Sequence, residues 1–248
     1  MLEQGIELVR SGPSRKVLKM CKGQKLPAEI SVAIDLSFDD LMLDKDLGSC
    51  ASQLLRVYTN NRRANRPIPV HFTGLKEGGK LYEKMERNDG WKNWDVVTHR
   101  ESFMELFDKE KIIYLTSDSE TVLETLEKDA VYVIGGLVDH NHHKFLTQEL
   151  ALKNCIRSAR LPLSEYLIIK TRTVLTINQV FDIILGISEG LPWKEVLMNT
   201  LPQRKGIKLK EEDPTIKIEK EDNEKSLQNV DETVKEEAIE MSNESESK

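Results

Sequence analysis

Asp139 follows an apolar run and a glycine pair, in Val131-Tyr132-Val133-Ile134-Gly135-Gly136-Leu137-Val138-Asp139. The β-branched run predicts a buried strand. The glycines predict an abrupt turn at its end, with a backbone that a ligand can approach closely because no Cβ intervenes. The carboxylate is thereby delivered to the C-terminal edge of a strand, where open α/β sheets bind their ligands. There it could take a proton from a weakly acidic N–H as the nitrogen attacks an electrophile. Asp35 and Asp118 also end strand-like runs and compete for the role. A plainer reading stays open, in which the glycines only make a tight turn and Asp139 caps the next helix.

Three histidines, His140, His142 and His143, stand beside that carboxylate. Zinc sites need ligands spaced to face one point. Adjacent His142 and His143 point apart and no further ligand stands at helical spacing, so a solvated or RNA-facing loop is expected and no metal. Cys155 falls in a helical pattern and reads as a small core residue. With Cys21 and Cys50 it makes an odd set without close pairs, which predicts a reducing compartment and no disulfide framework. Basic groups recur at Arg15, Lys16 and Lys19, at Arg62, Arg63 and Arg66, and at Arg204 and Lys205. Any one cluster reads as ordinary solvated charge. Together they could follow a phosphate backbone, provided the fold brings them to one face.

The elements that must position these groups alternate along the chain. Strands are expected at Ser31 to Leu36, Ile68 to Phe72, Lys111 to Leu115 and Val131 to Ile134. Between them a helix is expected from about Ser49 to Asn61, with Leu54, Leu55 and Tyr58 on its inner face. Asp39 and Asp40 sit where a helix would start. A short helix should open at Gly78-Gly79, with Trp91 and Trp94 in a loop or short strand beyond it. Further helices are expected near 147–156, from Ile177 to Ile187, and from Pro192 to about Thr200. The alternation predicts an α/β fold with a largely parallel sheet.

At 248 residues the chain can bury a sizeable core. From Lys208 to Lys248 it carries 14 Asp and Glu against 7 Lys, and subtracting that −7 from the whole-chain −6 leaves +1 for residues 1–207. The acidic balance therefore belongs to the tail. The tail has no Phe, Trp or Tyr and is expected to be disordered, because it has too little apolar surface to offset the entropy of ordering. The expected organisation is a basic N-terminal segment over 1–27, one domain over 28–206 and an acidic tail over 207–248. No apolar run reaches membrane-spanning length and the first residues lack a signal-peptide core, so no membrane and a cytosolic or nuclear location are expected.

Several of these runs together resemble the tRNA guanine-9 N1-methyltransferases of the SPOUT superfamily. They are Val32-Ala-Ile-Asp35-Leu36-Ser37-Phe38-Asp39-Asp40-Leu41-Met42, Ser52-Gln53-Leu54, Asn61-Arg62-Arg63-Ala64, Tyr114-Leu115-Thr116-Ser117, Gly135-Gly136-Leu137-Val138-Asp139-His140-Asn141-His142-His143-Lys144, Leu161-Pro162-Leu163, Val174-Leu175 with Asn178, and Leu201-Pro-Gln-Arg-Lys-Gly206. The resemblance implies an α/β SPOUT domain with a C-terminal trefoil knot, one of the rare exceptions to unknotted topology. It implies S-adenosylmethionine held by Leu115, Thr116, Gly135, Gly136, His140, Asn141, His142, His143, Lys144, Leu161, Pro162, Leu163, Val174, Leu175, Thr176 and Asn178. It implies methyl transfer to N1 of guanine at position 9 of tRNA, with Asp139 drawing off the N1 proton and Gln53 hydrogen-bonding the base. It also implies action as a monomer, with the basic groups named above holding tRNA. The alternatives are activity on adenine 9 or both purines, or a catalytically silent tRNA-binding protein on the same fold. In one place the chain departs from the family, whose usual glycine after the His-His-Lys run is Phe145 here. If that position needs a positive φ, phenylalanine strains the loop.

Overall fold

The structure, a computed structural model, describes residues 25–88, 90–139, 143–168, 174–201 and 208–210. The N-terminal groups Arg15, Lys16 and Lys19, the residues His140, Asn141 and His142, the pair Arg204 and Lys205, and the tail from residue 211 lie outside the described residues. The chain divides into two compact units, Met1–Lys208 and Leu209–Lys248, and the elements below belong to the first.

Strands β1 (Ser31–Asp35), β2 (Val70–Thr73), β3 (Val97–Thr98), β4 (Ile112–Leu115), β5 (Val131–Gly135) and β6 (Arg157–Ala159) form one sheet. Its order is β3-β2-β1-β5-β4-β6, with each neighbouring pair parallel. Side chains alternate across a strand, so Val32, Ile34, Ile113, Leu115, Tyr132 and Ile134 join one core. Ala33, Ile112, Tyr114, Val131 and Val133 join a second core on the other face. Burial on both faces explains why the central strands are apolar throughout rather than alternating.

Helices α1 (Asp44–Asn61), α2 (Lys80–Glu86), α3 (Leu146–Lys153), α4 (Ile177–Ser188) and α5 (Trp193–Thr200) cover the sheet. Along α1, Leu47, Cys50, Ala51, Leu54 and Val57 are buried at helical spacing and meet Phe181, Ile184 and Leu185 of α4 in the first core. Ala151 of α3 closes the second core. A third cluster joins α4 to α5 through Ile183, Val196 and Leu197. The start of α4 carries a capping box, Thr176 with Gln179, legible as Thr-x-x-Gln before an apolar run.

Several expectations need correction. Helix α1 begins at Asp44, while Asp39 and Asp40 form a separate 3-10 turn. Leu55 is exposed rather than inward-facing; Leu54 and Val57 take that face. Cys155 lies beyond the end of α3, exposed and at φ 49°, so it is not a core residue. The segment in which the knot is expected includes residues 169–173, which are not among the described residues. No helix among the described residues is long and apolar enough to cross a membrane.

Candidate active site

The connections out of β1 and β5 run in opposite directions, β1 toward β2 and β5 toward β6, so the topology assigns a ligand crevice to the C-terminal edge at these neighbours. This reversal point is where open parallel sheets bind ligands. Register places Asp35 opposite Gly135 across the β1–β5 pair. On the other side Leu115 of β4 pairs with Ile134 of β5 and with Ala159 of β6. Thr116, Gly135-Gly136 and the segment entering Leu161 therefore share one edge.

The glycine pair is needed for close approach rather than for a turn. Neither Gly135 nor Gly136 is among the glycines with positive φ. A Cβ on Gly136 would lie 2.5 Å from Leu36 Cδ2 and 2.6 Å from the Asp35 carbonyl oxygen. The backbone is this tight because Gly136 N donates to that same carbonyl at 2.8 Å, extending the ladder one residue past the strand. The Cys50 thiol donates to the Gly136 carbonyl at 3.5 Å. Burial pushes that thiol up to about 12, which removes it as a nucleophile.

Beneath the glycines sits a buried polar group. Asp35 accepts hydrogen bonds from Ser37 N at 3.2 Å, from Ser37 Oγ at 2.7 Å and from the Tyr114 hydroxyl at 3.2 Å. Burial raises its carboxyl above the ordinary value of 3.8 despite those donors, and the Tyr114 hydroxyl is raised by burial and by Asp35. Between 3.8 and the raised value the folded state binds more protons than the unfolded state, so this contribution is most favourable below 3.8 and declines as pH rises through that window. Urea titrations of the native protein and Asp35→Asn across pH 4 to 7 check this: the variant should lack this component of the slope. Asp35 is thus a structural acid below the crevice floor, and Asp118 is exposed in the loop after β4.

Asp139 stands at the lip, its side chain 12% exposed. Its Oδ2 accepts from the His143 backbone N at 2.6 Å and lies 3.1 Å from His143 Nδ1. These contacts tie Asp139 to His143 and orient the carboxylate. They do not cap α3, whose N-cap residue is Phe145. Lys144 is exposed beside it.

Phe145 has φ 63° and ψ −5°, so the position does require the left-handed region, and the residue is 55% exposed. A side chain there costs on the order of 1–2 kcal/mol. Phe145→Gly should relieve that cost, partly offset by the greater freedom of glycine when unfolded. A net gain of about 0.5–1 kcal/mol is expected in urea titrations.

Across the edge, Thr116 N donates to the Ala159 carbonyl at 3.0 Å, and Thr147 Oγ1 donates to Thr116 Oγ1 at 2.9 Å. Leu115, Thr116, Pro162 and Leu163 are buried and Leu161 half-buried. Leu161 and Leu175 both pack against the cluster that holds Leu163, which brings two of the predicted loops together. Val174 is exposed, while Thr176 caps α4 and donates to Asn178 Oδ1 at 3.1 Å. Gln53 is buried mid-way along α1, and its Oε1 accepts from Ile177 N at 2.9 Å, so its carbonyl is committed to the start of α4. Its side-chain NH₂ takes no part in that bond.

The basic cluster Arg62, Arg63 and Arg66 is not at this edge. Helix α1 returns the chain from the C-terminal end of β1 to the start of β2, and Arg66 meets Pro27 and Glu29 just before β1. A helix of 18 residues spans about 27 Å, so this cluster and the crevice lie at opposite ends of the sheet. Among the described residues no group of three or more His, Cys, Asp or Glu side chains is gathered as for a metal ion. Sequence reasoning did not name Thr147, and quoted Tyr114 only within the Tyr114-Leu115-Thr116-Ser117 run without a role in the site. A tyrosine in an otherwise aliphatic buried strand was the one available signal, since a buried hydroxyl must find a partner.

The chain matches the family model for tRNA (guanine(9)-N(1))-methyltransferase TRM10/TRM10A over residues 2–206. It is 43% identical over 206 residues to the tRNA (guanine(9)-N(1))-methyltransferase Trmt10A of Drosophila melanogaster, covering 82% of this chain and 64% of that protein. To tRNA methyltransferase 10 homolog A of Homo sapiens it is 46% identical over 179 residues, covering 71% of this chain and 52% of that protein. The chain thus spans between about half and two thirds of these curated relatives. Among solved structures it is similar to spTrm10(74), with a TM-score of 0.67 at 34% identity over 71% of this chain and 96% of that one. It is likewise similar to the full-length spTrm10–SAH complex, with a TM-score of 0.65 at 33% identity over 71% and 97%.

Proposed function

The chain belongs to the tRNA (guanine(9)-N(1))-methyltransferase TRM10/TRM10A family, and from that premise we propose that it methylates N1 of guanine at position 9 of tRNA with S-adenosylmethionine. The observation that carries the reading is Asp139, delivered by β5 to the lip of the crevice at the sheet's reversal and oriented by His143. Guanine N1 carries a proton and is a poor nucleophile until that proton leaves. A carboxylate is a much weaker base than the guanine anion, so complete transfer before attack is uphill. Asp139 instead accepts the N1–H hydrogen bond and takes the proton as the nitrogen lone pair is committed to the new bond.

The fit to a methyl donor rests on the edge itself. Gly135 and Gly136 let that edge pack tightly, Gly135 against Thr147 and Tyr114 and Gly136 against Leu36 and the Asp35 carbonyl. Leu115, Leu161, Leu163 and Leu175 supply apolar surface, and Thr116 a hydroxyl. Bound S-adenosylmethionine supplies an electrophilic methyl group on a sulfonium. The chain's own tasks are to hold that group, to admit a guanine lifted from the tRNA stack at a cost of a few kcal/mol, and to receive one proton at Asp139.

The same reading has the chain act as a monomer without a membrane partner, in cytosol or nucleus, with the trefoil knot of the SPOUT fold shaping the cofactor loops. Arg15, Lys16, Lys19, Arg204 and Lys205 add phosphate contacts. The test is mass spectrometry of nucleosides after incubating the protein and S-adenosylmethionine with an unmodified tRNA transcript. One 1-methylguanosine per transcript, lost when G9 is replaced by A, is expected. Methylation of an A9 transcript, or no product with a transcript that binds, would overturn the assignment of base or of activity respectively.

A further inference from the structure

A cavity of about 310 Å³ lies on the flank of edge strand β3, lined by Tyr82, Trp91, Lys92, Trp94, Thr98 and Arg100. Its volume is at the lower end of the roughly 300–1,000 Å³ typical of small-ligand sites. No residue of it takes part in the crevice. Its wall combines aromatic rings and two cations with one carboxylate, Glu77, and apolar surface from Leu75 and Val96. Tyr82 and Trp91 meet edge to face with centroids 5.2 Å apart, and Lys92 Nζ stands 5.4 Å from the first ring and 5.9 Å from the second.

The cavity is joined to the basic cluster by a stack. Trp94 lies parallel to Tyr58 of α1, with centroids 4.7 Å apart and planes within 3°, and the Arg62 guanidinium sits 5.3 Å from the Tyr58 centroid. A continuous cation–aromatic ladder thus runs from Arg62, at the end of the sheet away from the crevice, to the cavity wall. The cavity continues past Thr98 to Arg100, beyond the C-terminal end of β3. There it faces the same way as the crevice. Two strand spacings, about 10 Å, separate β3 from β1.

We infer that this cavity is a second RNA contact, which takes an unstacked nucleobase of the substrate tRNA against Trp94 and its phosphate on Lys92 and Arg100. Every nucleobase offers a π face, so an aromatic wall beside cations binds single-stranded nucleotides with little regard to sequence. Lys92 pairs with Glu86 at 3.2 Å and Arg100 with Glu77, but all four side chains are at least half exposed. Exposed pairs contribute little and exchange readily, so a phosphate can displace either carboxylate. The ladder also gives the distant Arg62 cluster a role. It follows the strand that leads to the cavity, although it cannot reach the crevice.

The inference deepens the proposed function and rests on it for the identity of the RNA. Trp94→Ala should raise the Kd for a tRNA transcript, measured without cofactor, about tenfold. It should raise KM for tRNA similarly, with kcat and S-adenosylhomocysteine affinity within about twofold of the native protein. Trp94→Phe should restore binding, since it keeps a flat ring. Thr98→Trp fills the cavity from an exposed strand position without touching the ladder, and should weaken tRNA binding to the same degree with an unchanged melting temperature. If native protein and both cavity variants bind the transcript within twofold of one another, the cavity is not an RNA contact, whatever the enzyme does. If the variants lose binding while the native protein transfers no methyl group, the contact stands and the methyltransferase reading falls.

Discussion

Asp139→Asn is expected to lower kcat for methyl transfer about 100-fold, while Kd for tRNA and for S-adenosylmethionine stays within about twofold, a split that single-turnover kinetics and equilibrium binding read directly. Asparagine is close in shape, and its carbonyl can still accept from the His143 backbone N, which now meets Asp139 Oδ2 at 2.6 Å. The tie between residues 139 and 143 should therefore persist. What disappears is the anionic acceptor for the N1 proton. Because the loss falls on the proton-accepting step, it should appear in kcat and kcat/KM together. His143→Ala should act in the same direction but less, about tenfold, since its ring orients the carboxylate at 3.1 Å without taking the proton. The two changes should not add, because each removes part of one unit. A loss confined to KM in Asp139→Asn would mean that the carboxylate only helps to hold tRNA.

Gly136→Ala is the second large effect, and it acts on the fold and the crevice together. The new methyl would stand 2.6 Å from the Asp35 carbonyl oxygen, a backbone atom in the central strand. Leu36 Cδ2, at 2.5 Å, can swing aside, but the carbonyl cannot move without parting β1 from β5. Overpacking of this kind costs about 1–3 kcal/mol, and the 2.8 Å bond from Gly136 N to that carbonyl would be weakened as well. Urea denaturation should show the loss of stability, and calorimetry with S-adenosylhomocysteine a loss of affinity of at least tenfold. Gly135→Ala is the built-in comparison. Its methyl would meet Thr147 Cγ2 at 3.1 Å and the Tyr114 hydroxyl at 3.3 Å, both side-chain atoms that can give by a few tenths of an ångström. Equal damage from both substitutions would show that the crevice fails for some reason other than the β1–β5 approach.

Phe145 shows how a local departure in sequence becomes physical. Its departure from the family's usual glycine marked it, and the backbone then showed φ 63° on an exposed phenylalanine. Strain of this kind persists where the surrounding structure holds it in place, which here is the His143–Asp139 contact and the first hydrogen bond of α3, from Glu149 N to the Phe145 carbonyl at 2.7 Å.

The amino-acid sequence by itself determined the parallel α/β class, most strands and helices to within a few residues, and the placement of Asp139 just past a buried strand. Each of these depends on neighbours within a turn or two of chain, where periodicity and capping chemistry act. Tertiary structure decided the rest. The glycine pair is explained by the Asp35 carbonyl about 100 residues earlier in the chain, not by its own turn chemistry. Gln53 finds its partner 124 residues away at Ile177. Arg62, Arg63 and Arg66 fall at the far end of the sheet because a crossover helix must return the chain before a parallel strand can start. The meeting of Tyr58, Trp94, Trp91 and Tyr82 likewise joins segments that share no pattern in sequence. Contacts of this length are set by how strands order themselves in the sheet, and no local window of residues carries that information.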